Sequence, residues 1–398
     1  MKYMILIVLF LCTITTSLLH NAYNKKFDNI RLKTSLFGSN DGLLFDMNYI
    51  SNELKKNMVG LGMPKVYPPG KDGDEWLLWF HGRDDKFSND IVKLSTGRIF
   101  FATSKDGINN WKMDPDNPIL NPSKEAGDWF YFDSEHVGLG DVIKPGMKAQ
   151  SKFATQDGVF LMYIFGGNNE AQMLNNDIKM RGMKMEIGVA VSQDGSHWSR
   201  VEGPSARGAI VEVGSKDEFD SAFIGWPNVM EVNSEYWMYY HTYNPITKTF
   251  SIGRAVAKDG TLKWTKKGQV FTAGAPDKFD GRGVSRRHTA RMADGSYRMW
   301  YEGVSKDNIH SIGVATSLDG TNWERLSTDS VFTPSSDPEA WDAGGVGSPH
   351  LVWLNEKRRW RMYYVGTALN NSEKAAFGIA ESTDENGLDW IRMSTDFQ

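Results

Sequence analysis

From residue 57 onward the apolar positions come in short dense runs, each cut off by glycine, proline or an Asp-Gly pair. The clearest runs are aromatic: Trp76-Leu-Leu-Trp79-Phe80, Phe160-Leu-Met-Tyr163, Trp237-Met-Tyr239-Tyr240, Tyr297-Arg-Met-Trp300-Tyr301 and Trp360-Arg-Met-Tyr363-Tyr364. Segments of this length, rich in aromatic and β-branched residues and bounded by turn formers, predict strands. Most are followed by a second run carrying Ile-Gly-x-Ala, as in Ile187-Gly-Val-Ala190 and Ile312-Gly-Val-Ala315. No amphipathic helix is legible after residue 57.

Each second run ends in one recurring phrase: Ser104-Lys-Asp106-Gly107, Ser192-Gln-Asp194-Gly195, Ala257-Lys-Asp259-Gly260, Ser317-Leu-Asp319-Gly320 and Ser382-Thr-Asp384, with Gly387. A tryptophan closes every copy, at 111, 198, 264, 323 and 390. The Asp-to-Asp steps are 88, 65, 60 and 65 residues. Asp-Gly between apolar runs is a hairpin signal, because such turns need positive φ. Upstream stand aromatic-Asp pairs (Phe132-Asp133, Phe219-Asp220, Phe279-Asp280, Trp341-Asp342), with Asn57 in the matching place of the first copy. Then come Gly-x-Pro steps, at Gly62-Met-Pro64, Gly225-Trp-Pro227 and Gly347-Ser-Pro349, with Gly138-Leu-Gly140 in the second copy. Five repeats of four antiparallel strands predict an all-β fold, a five-bladed β-propeller around a central channel. The repeated aspartates and tryptophans then serve turns and packing.

The domain division expected is a signal peptide over 1–22, a basic leader or linker over 23–56, and the propeller over 57–398. Lys2 followed by Met4–Leu11 has the charged start and apolar core of a signal peptide, too short for a membrane span. Residues 24–38 carry Lys25, Lys26, Arg31 and Lys33 against Asp28 alone. Secretion to the exterior is the destination expected; a plastid of an alga, reached by a signal plus a transit segment, is the alternative, and a plain linker fits the basic stretch equally. Asn370-Asn-Ser372 is a glycosylation sequon. A formal charge of −4 offers no basic face for nucleic acid. Cys12 is the only cysteine, so the repeats contain no disulfide, thiol nucleophile or thiolate metal site. No metal loop or cofactor motif is legible, and oligomeric state is left open.

Positions alike in every repeat serve the fold; departures confined to one repeat are candidates for chemistry. The fourth repeat replaces Gly-x-Pro with Arg286-Arg287-His288, which need carboxylates or an anionic ligand if buried. The second repeat carries Glu135-His136 before the step and Asp141 after it, and the positions matching Asp141 are Lys65, Asn228, Thr289 and His350. Glu135 and Asp141 are the candidate acid–base pair, with Glu302 behind Trp300-Tyr301 in reserve. Arg286, Arg287, His288, His136, Trp226, Asn228 and His350 are the candidate substrate-binding residues. Both acids serving only to neutralise the arginines is the competing reading. His81 and His241, at one place in two repeats, read as structural. The 88-residue step contains an insert over Asn168–Met185, a lid or a disordered excursion on the channel face.

On these motifs residues 57–398 resemble the five-bladed propeller superfamily of arabinanases, invertases, levansucrases and related glycoside hydrolases. The resemblance implies an aspartate of the first blade as base or nucleophile, a second aspartate tuning the acid, and a glutamate acid on a later blade. In many members an aspartate stands directly before the proline of the first blade; here that residue is Met63. Asp141 resembles the tuning aspartate, and no glutamate precedes Pro227, His288 or Pro349 as the pattern expects. The expected function is that of an atypical glycoside hydrolase on an oligo- or polysaccharide, anionic if the arginines bind it. The alternative is a non-catalytic glycan-binding or assembly propeller. Sialidase-like activity, suggested by the Asp-Gly turns and arginines, would need six blades.

Overall fold

The computed structural model describes residues 42–393, apart from 56–57, 71–73, 85–91, 94–95, 146–157, 174–178 and 370. The predicted signal and basic segments, Asn57 and the sequon's Asn370 lie outside the described residues. The architecture is all-β, built of four-stranded antiparallel sheets as in a propeller.

The chain opens with β1 (Leu43–Asp46) and α1 (Met47–Leu54). The first unit is β2 (Met58–Tyr67), β3 (Trp76–Asp84), β5 (Gly97–Ser104) and β6 (Lys112–Met113), with β4 (Val92–Lys93) on an excursion. The second is β7 (His136–Ile143), β8 (Phe160–Gly167), β11 (Met185–Ser192) and β12 (Ser199–Val201), with β9 (Gln172–Met173) and β10 (Lys179–Arg181) between. Next come β13 (Gly225–Val232), β14 (Glu235–Asn244), β15 (Thr249–Ala257) and β16 (Thr265–Phe271). These are followed by β17 (Gly283–Arg291), β18 (Tyr297–Val304), β19 (His310–Ser317) and β20 (Glu324–Arg325). The last unit is β21 (Gly345–Leu354), β22 (Arg359–Ala368), β23 (Asn371–Ser382) and β24 (Trp390–Arg392). A parallel pair, Phe250 with Gly283, joins the strands of the third and fourth units into one sheet.

The Asp-Gly turns are built as their residues dictate. Asp106 Oδ1 accepts from the amides of Ile108 and Asn109, and Asp194 and Asp319 do the same two and three residues on. Gly107, Gly195, Gly260, Gly320 and Gly387 all have positive φ, which only glycine adopts without strain.

An aromatic from each second strand reaches across to the next unit's turn. Trp79 Nε1 donates to the Gly195 carbonyl, Tyr163 to Gly260, Tyr239 to Gly320, and Trp300 to Gly387. Tyr363 of the last unit donates to Gly107 of the first. The innermost strands contact one another in the same order, β2 to β7, β13, β17, β21 and back to β2. The aromatic-Asp residues clamp each unit from inside: Asp220, Asp280 and Asp342 accept from Tyr240, Tyr301 and Tyr364. Each also meets a cation of its own fourth strand, Lys266, Arg325 or Arg392, as Asp133 meets Arg200.

Residues 43–54, expected to end a linker, are part of the folded body. β1 pairs antiparallel with β23, Leu43 opposite Gly378, and Ile50 of α1 is fully buried beside Phe45 and Phe377. The cause is apolar: Leu-Leu-Phe presents an edge that the exposed flank of β23 can bury. The insert of the second unit also folds in part, β10 pairing with β9 and, in parallel, with β4 of the first unit.

Candidate functional site

Every innermost strand breaks its register at the step singled out in sequence, between Gly62 and Lys65, Leu139 and Asp141, Gly225 and Asn228, Val284 and Arg287, and Gly347 and His350. These are β-bulges, which turn a side chain off the sheet's alternation. In three of them the residue before proline is left-handed: Met63 at φ 48°, Trp226 at 47° and Ser348 at 52°. Such φ values in residues with a Cβ cost about 1–3 kcal/mol each, held in place by surrounding packing. Met63 and Trp226 are both 1 % exposed and share one apolar cluster with Phe165. The Trp226 ring lies 4.3 Å from that of Phe165 and 4.8 Å from His241, the latter stacked at 14°. Trp226 therefore has no open face for a sugar. It and Met63 are buried together at bulge level.

The bulges separate the sequence-predicted residues into two groups. Toward the starts of the innermost strands, here called the upper end, lie Glu135, His136, Arg286 and Glu302. Glu302 is fully enclosed: it accepts from Arg286 Nη1 at 3.0 Å, from the Ser348 amide at 2.8 Å, and pairs with His310 Nδ1 at 2.7 Å. Burial alone would raise its carboxyl, but Arg286 and His310 hold it well below the usual carboxylate range. It is a fixed anion. A small cavity of about 30 Å³ lies beside it, lined by His81, Arg286, Glu302, His310 and Gly347 among others. Burial and the guanidiniums of Arg83 and Arg286 push His81 well below the normal imidazole range, so it is neutral. His136, brought down to about 3 by burial and Arg83, lies against the Gly182 carbonyl through Nε2 at 2.8 Å. Glu135 is at the mouth, paired with Lys124 at 2.9 Å.

At the opposite, lower end the matching positions form one polar chain. Lys65 Nζ stands 3.2 Å from Asp141, whose other oxygen accepts from Asn228 Nδ2 at 2.7 Å and the Val229 amide at 2.8 Å. The Val142 amide donates to Asp141 as well, at 3.0 Å. Asn228 Oδ1 in turn accepts from Thr289 Oγ1 at 2.8 Å. Three hydrogen-bond donors and the Lys65 ammonium thus surround the Asp141 carboxylate, which ties units together. His350 meets the Val66 carbonyl through Nε2 and its ring stands edge-on to His288 at 5.1 Å. Below this chain opens a cavity of about 280 Å³, lined by Asp141, Asn228, His288, Thr289, His350 and Trp353 among others. Arg287 separates the two ends. It is fully buried, and its guanidinium donates to the carbonyls of Ser285, Trp226 and Tyr239.

Glu135 and Asp141, expected from sequence to act as a pair, therefore stand at opposite ends of the innermost strand of their unit. Two exposed aromatics escape the sequence pattern: Trp129 at 67 % and Phe130 at 43 %, on the segment leading to the upper end of β7. Their exposure breaks the rule that every other repeated aromatic obeys, and their absence from the repeat pattern is the signal that could have found them. Among the described residues no group of three His, Cys, Asp or Glu could hold a metal, and no helix is long and apolar enough to cross a membrane.

No family model matches the chain, and no curated protein does. Solved structures do. BT0996 in complex with RGII is 17 % identical with a TM-score of 0.62, covering 91 % of this protein and 96 % of that one. A glycosyl hydrolase from Bacteroides ovatus is 17 % identical at 0.55, covering 92 % and 98 %. A thermostable family-43 glycoside hydrolase is 14 % identical at 0.58, covering 85 % and 95 %. At such identities the likeness is one of fold, and at that level the resemblance to propeller glycoside hydrolases holds.

Proposed function

We propose that this chain is a carbohydrate-active protein, closed as a five-bladed propeller, that recognises a saccharide at its upper end without hydrolysing it. Closure of five blades is supported by the ring of aromatic-to-turn hydrogen bonds that returns from Tyr363 to Gly107. A carbohydrate ligand is supported by the fold neighbours, among them a deacetylase held with blood group B trisaccharide and hydrolases of β-1,2 mannosidic linkages.

One observation carries the non-hydrolytic half: Met63, standing where the family resemblance puts a reacting aspartate in the first blade, is buried in an apolar cluster with Trp226. The two other candidate carboxylates are enclosed, Asp141 by three hydrogen-bond donors and the Lys65 ammonium, and Glu302 by Arg286, His310 and Ser348. A glycosidase needs one carboxyl to give a proton and another to activate water or attack the sugar. A carboxylate whose lone pairs all accept fixed hydrogen bonds does neither well. Trp129 and Phe130 offer the exposed ring faces onto which the C–H face of a sugar packs.

Hydrolysis is the second reading, and Glu135 favours it. This carboxylate is partly exposed just before β7 and paired with the Lys124 cation. A glycan array spanning neutral, uronic and sulfated saccharides tests the first reading. Binding that falls about tenfold or more in Trp129→Ala, a loss near 1.4 kcal/mol, is the expected result. Failure to retain any glycan would overturn it.

A further inference from the structure

The upper cavity beside Glu302 presents a ligand with a cation and no free carboxylate. Glu302 is the only acid in its lining, and both oxygens are occupied, Oε1 by Arg286 and His310, Oε2 by the Ser348 amide and Arg286. Arg286 uses Nη1 alone in that pair. Its Nε and Nη2, the side-on fork of the guanidinium, bond to no described residue. Neither atom is among the enclosed nitrogens without a partner, whereas Nε of Arg287 is. The fork of Arg286 is therefore open, and Arg286 lines the cavity.

That guanidinium is set in place before any ligand arrives. Glu302 holds one end of it at 3.0 Å, and its central carbon stands 5.1 Å from the centre of the Trp226 ring. A group held in this way loses little freedom on binding. The hydroxyls of Ser348 and Thr367, in the same lining, can each donate as well. His81 adds no acid: burial, Arg83 and Arg286 keep it a neutral imidazole. The volume, about 30 Å³, gives room for about two or three ligand atoms. A sugar ring does not fit, but one planar substituent of a ring does.

We propose that this cavity is the subsite for the carboxylate of a uronic acid, so that the saccharide recognised at the upper end is an acidic one. The carboxylate lies edge to edge with the Arg286 fork in two parallel N–H···O bonds, a geometry that guanidinium matches and ammonium does not. A sulfate ester carries one oxygen more and is tetrahedral, so it fits this volume and this fork less well. The inference rests on the saccharide reading for the remainder of the ligand, and adds to it the group that selects among saccharides.

Calorimetric titration of the whole chain with oligosaccharides of galacturonate, glucuronate and mannuronate tests this, each beside its methyl ester, its neutral parent and the 6-sulfated parent. The ester keeps the ring and removes the charge, so the comparison needs no variant. At least one acid should bind about tenfold or more tighter than its ester. Arg286→Lys keeps a cation opposite Glu302 without the fork, and should bring the ratio of acid to ester close to one. Thr367→Val should lower that ratio about threefold, and serves if Arg286→Lys does not fold. Acid and ester bound alike, a sulfated parent bound as tightly as the acid, or an acid preference that survives Arg286→Lys would each overturn the assignment. Neutral glycans retained through Trp129 with no preference for an acid would end this inference and leave the saccharide reading standing; no glycan retained would end both.

Discussion

Glu302 illustrates how a buried acid becomes part of the frame. Arg286, His310 and the Ser348 amide depress its proton affinity, so its contribution to stability is complete above the ordinary carboxylate value of 4.5 and disappears as pH falls below it. Glu302→Gln leaves Arg286 buried opposite a neutral group and should cost about 3–5 kcal/mol at pH 7. Melts from pH 3 to 7 should show the wild type losing more stability toward acid than the variant, since other depressed carboxylates such as Asp194 and Asp319 remain in both. Glu186 is the reverse case. It is 3 % exposed, its Oε2 has no partner, and burial with Glu212 nearby pushes it up to about 7. Its folded state therefore holds a proton that the unfolded chain releases near 4.5, and stability falls as pH rises between those values. Glu186→Gln should raise the melting temperature at pH 8 by several degrees more than at pH 4; equal shifts at both would contradict the assignment.

The elements divide into those written locally and those that are not. Asp-Gly turns, aromatic second strands and the four-strand repeat are legible because each depends on neighbours a few residues apart. The bulge at each Gly-x-Pro step is half legible: Met63-Pro64 and Trp226-Pro227 mark an irregularity, but not that the side chain packs into an apolar cluster with Phe165. Depth along the channel is not legible at all. Glu135 and Asp141 are six positions apart in the sequence, and only the strand's rise places one at each end. β1 escapes a reading of the sequence because its partner Gly378 lies far off along the chain and nothing around Leu43 signals pairing. Removing residues 1–54 should uncover Phe377 and the flank of β23, lowering the melting temperature and raising amide exchange at residues 376–378 before other strands. Tyr363→Phe deletes the hydrogen bond that returns to Gly107 along with the hydroxyl's contact to Arg361, and should cost about 1–3 kcal/mol with the fold intact, as read by denaturant unfolding.

At the scale of the molecule, the innermost strands carry two groups of polar residues with different chemistry, with Arg287 and the Met63–Trp226 packing between them. A fold shared with glycoside hydrolases at 14–17 % identity does not bring their reaction along, because the reacting groups stand on a few positions that the scaffold does not fix. Restoring an acid with Met63→Asp should destabilise the protein by several kcal/mol, since the carboxylate would enter an apolar cluster without a partner. It should yield no cleavage. The most direct test takes the tightest glycan retained on an array, incubates it with wild-type protein and with Glu135→Gln, and follows products by mass spectrometry. Intact glycan with both proteins is the outcome required by an apolar Met63 and by Asp141 and Glu302 held in fixed polar contacts. Shorter saccharides from the wild type, lost in Glu135→Gln, would contradict it.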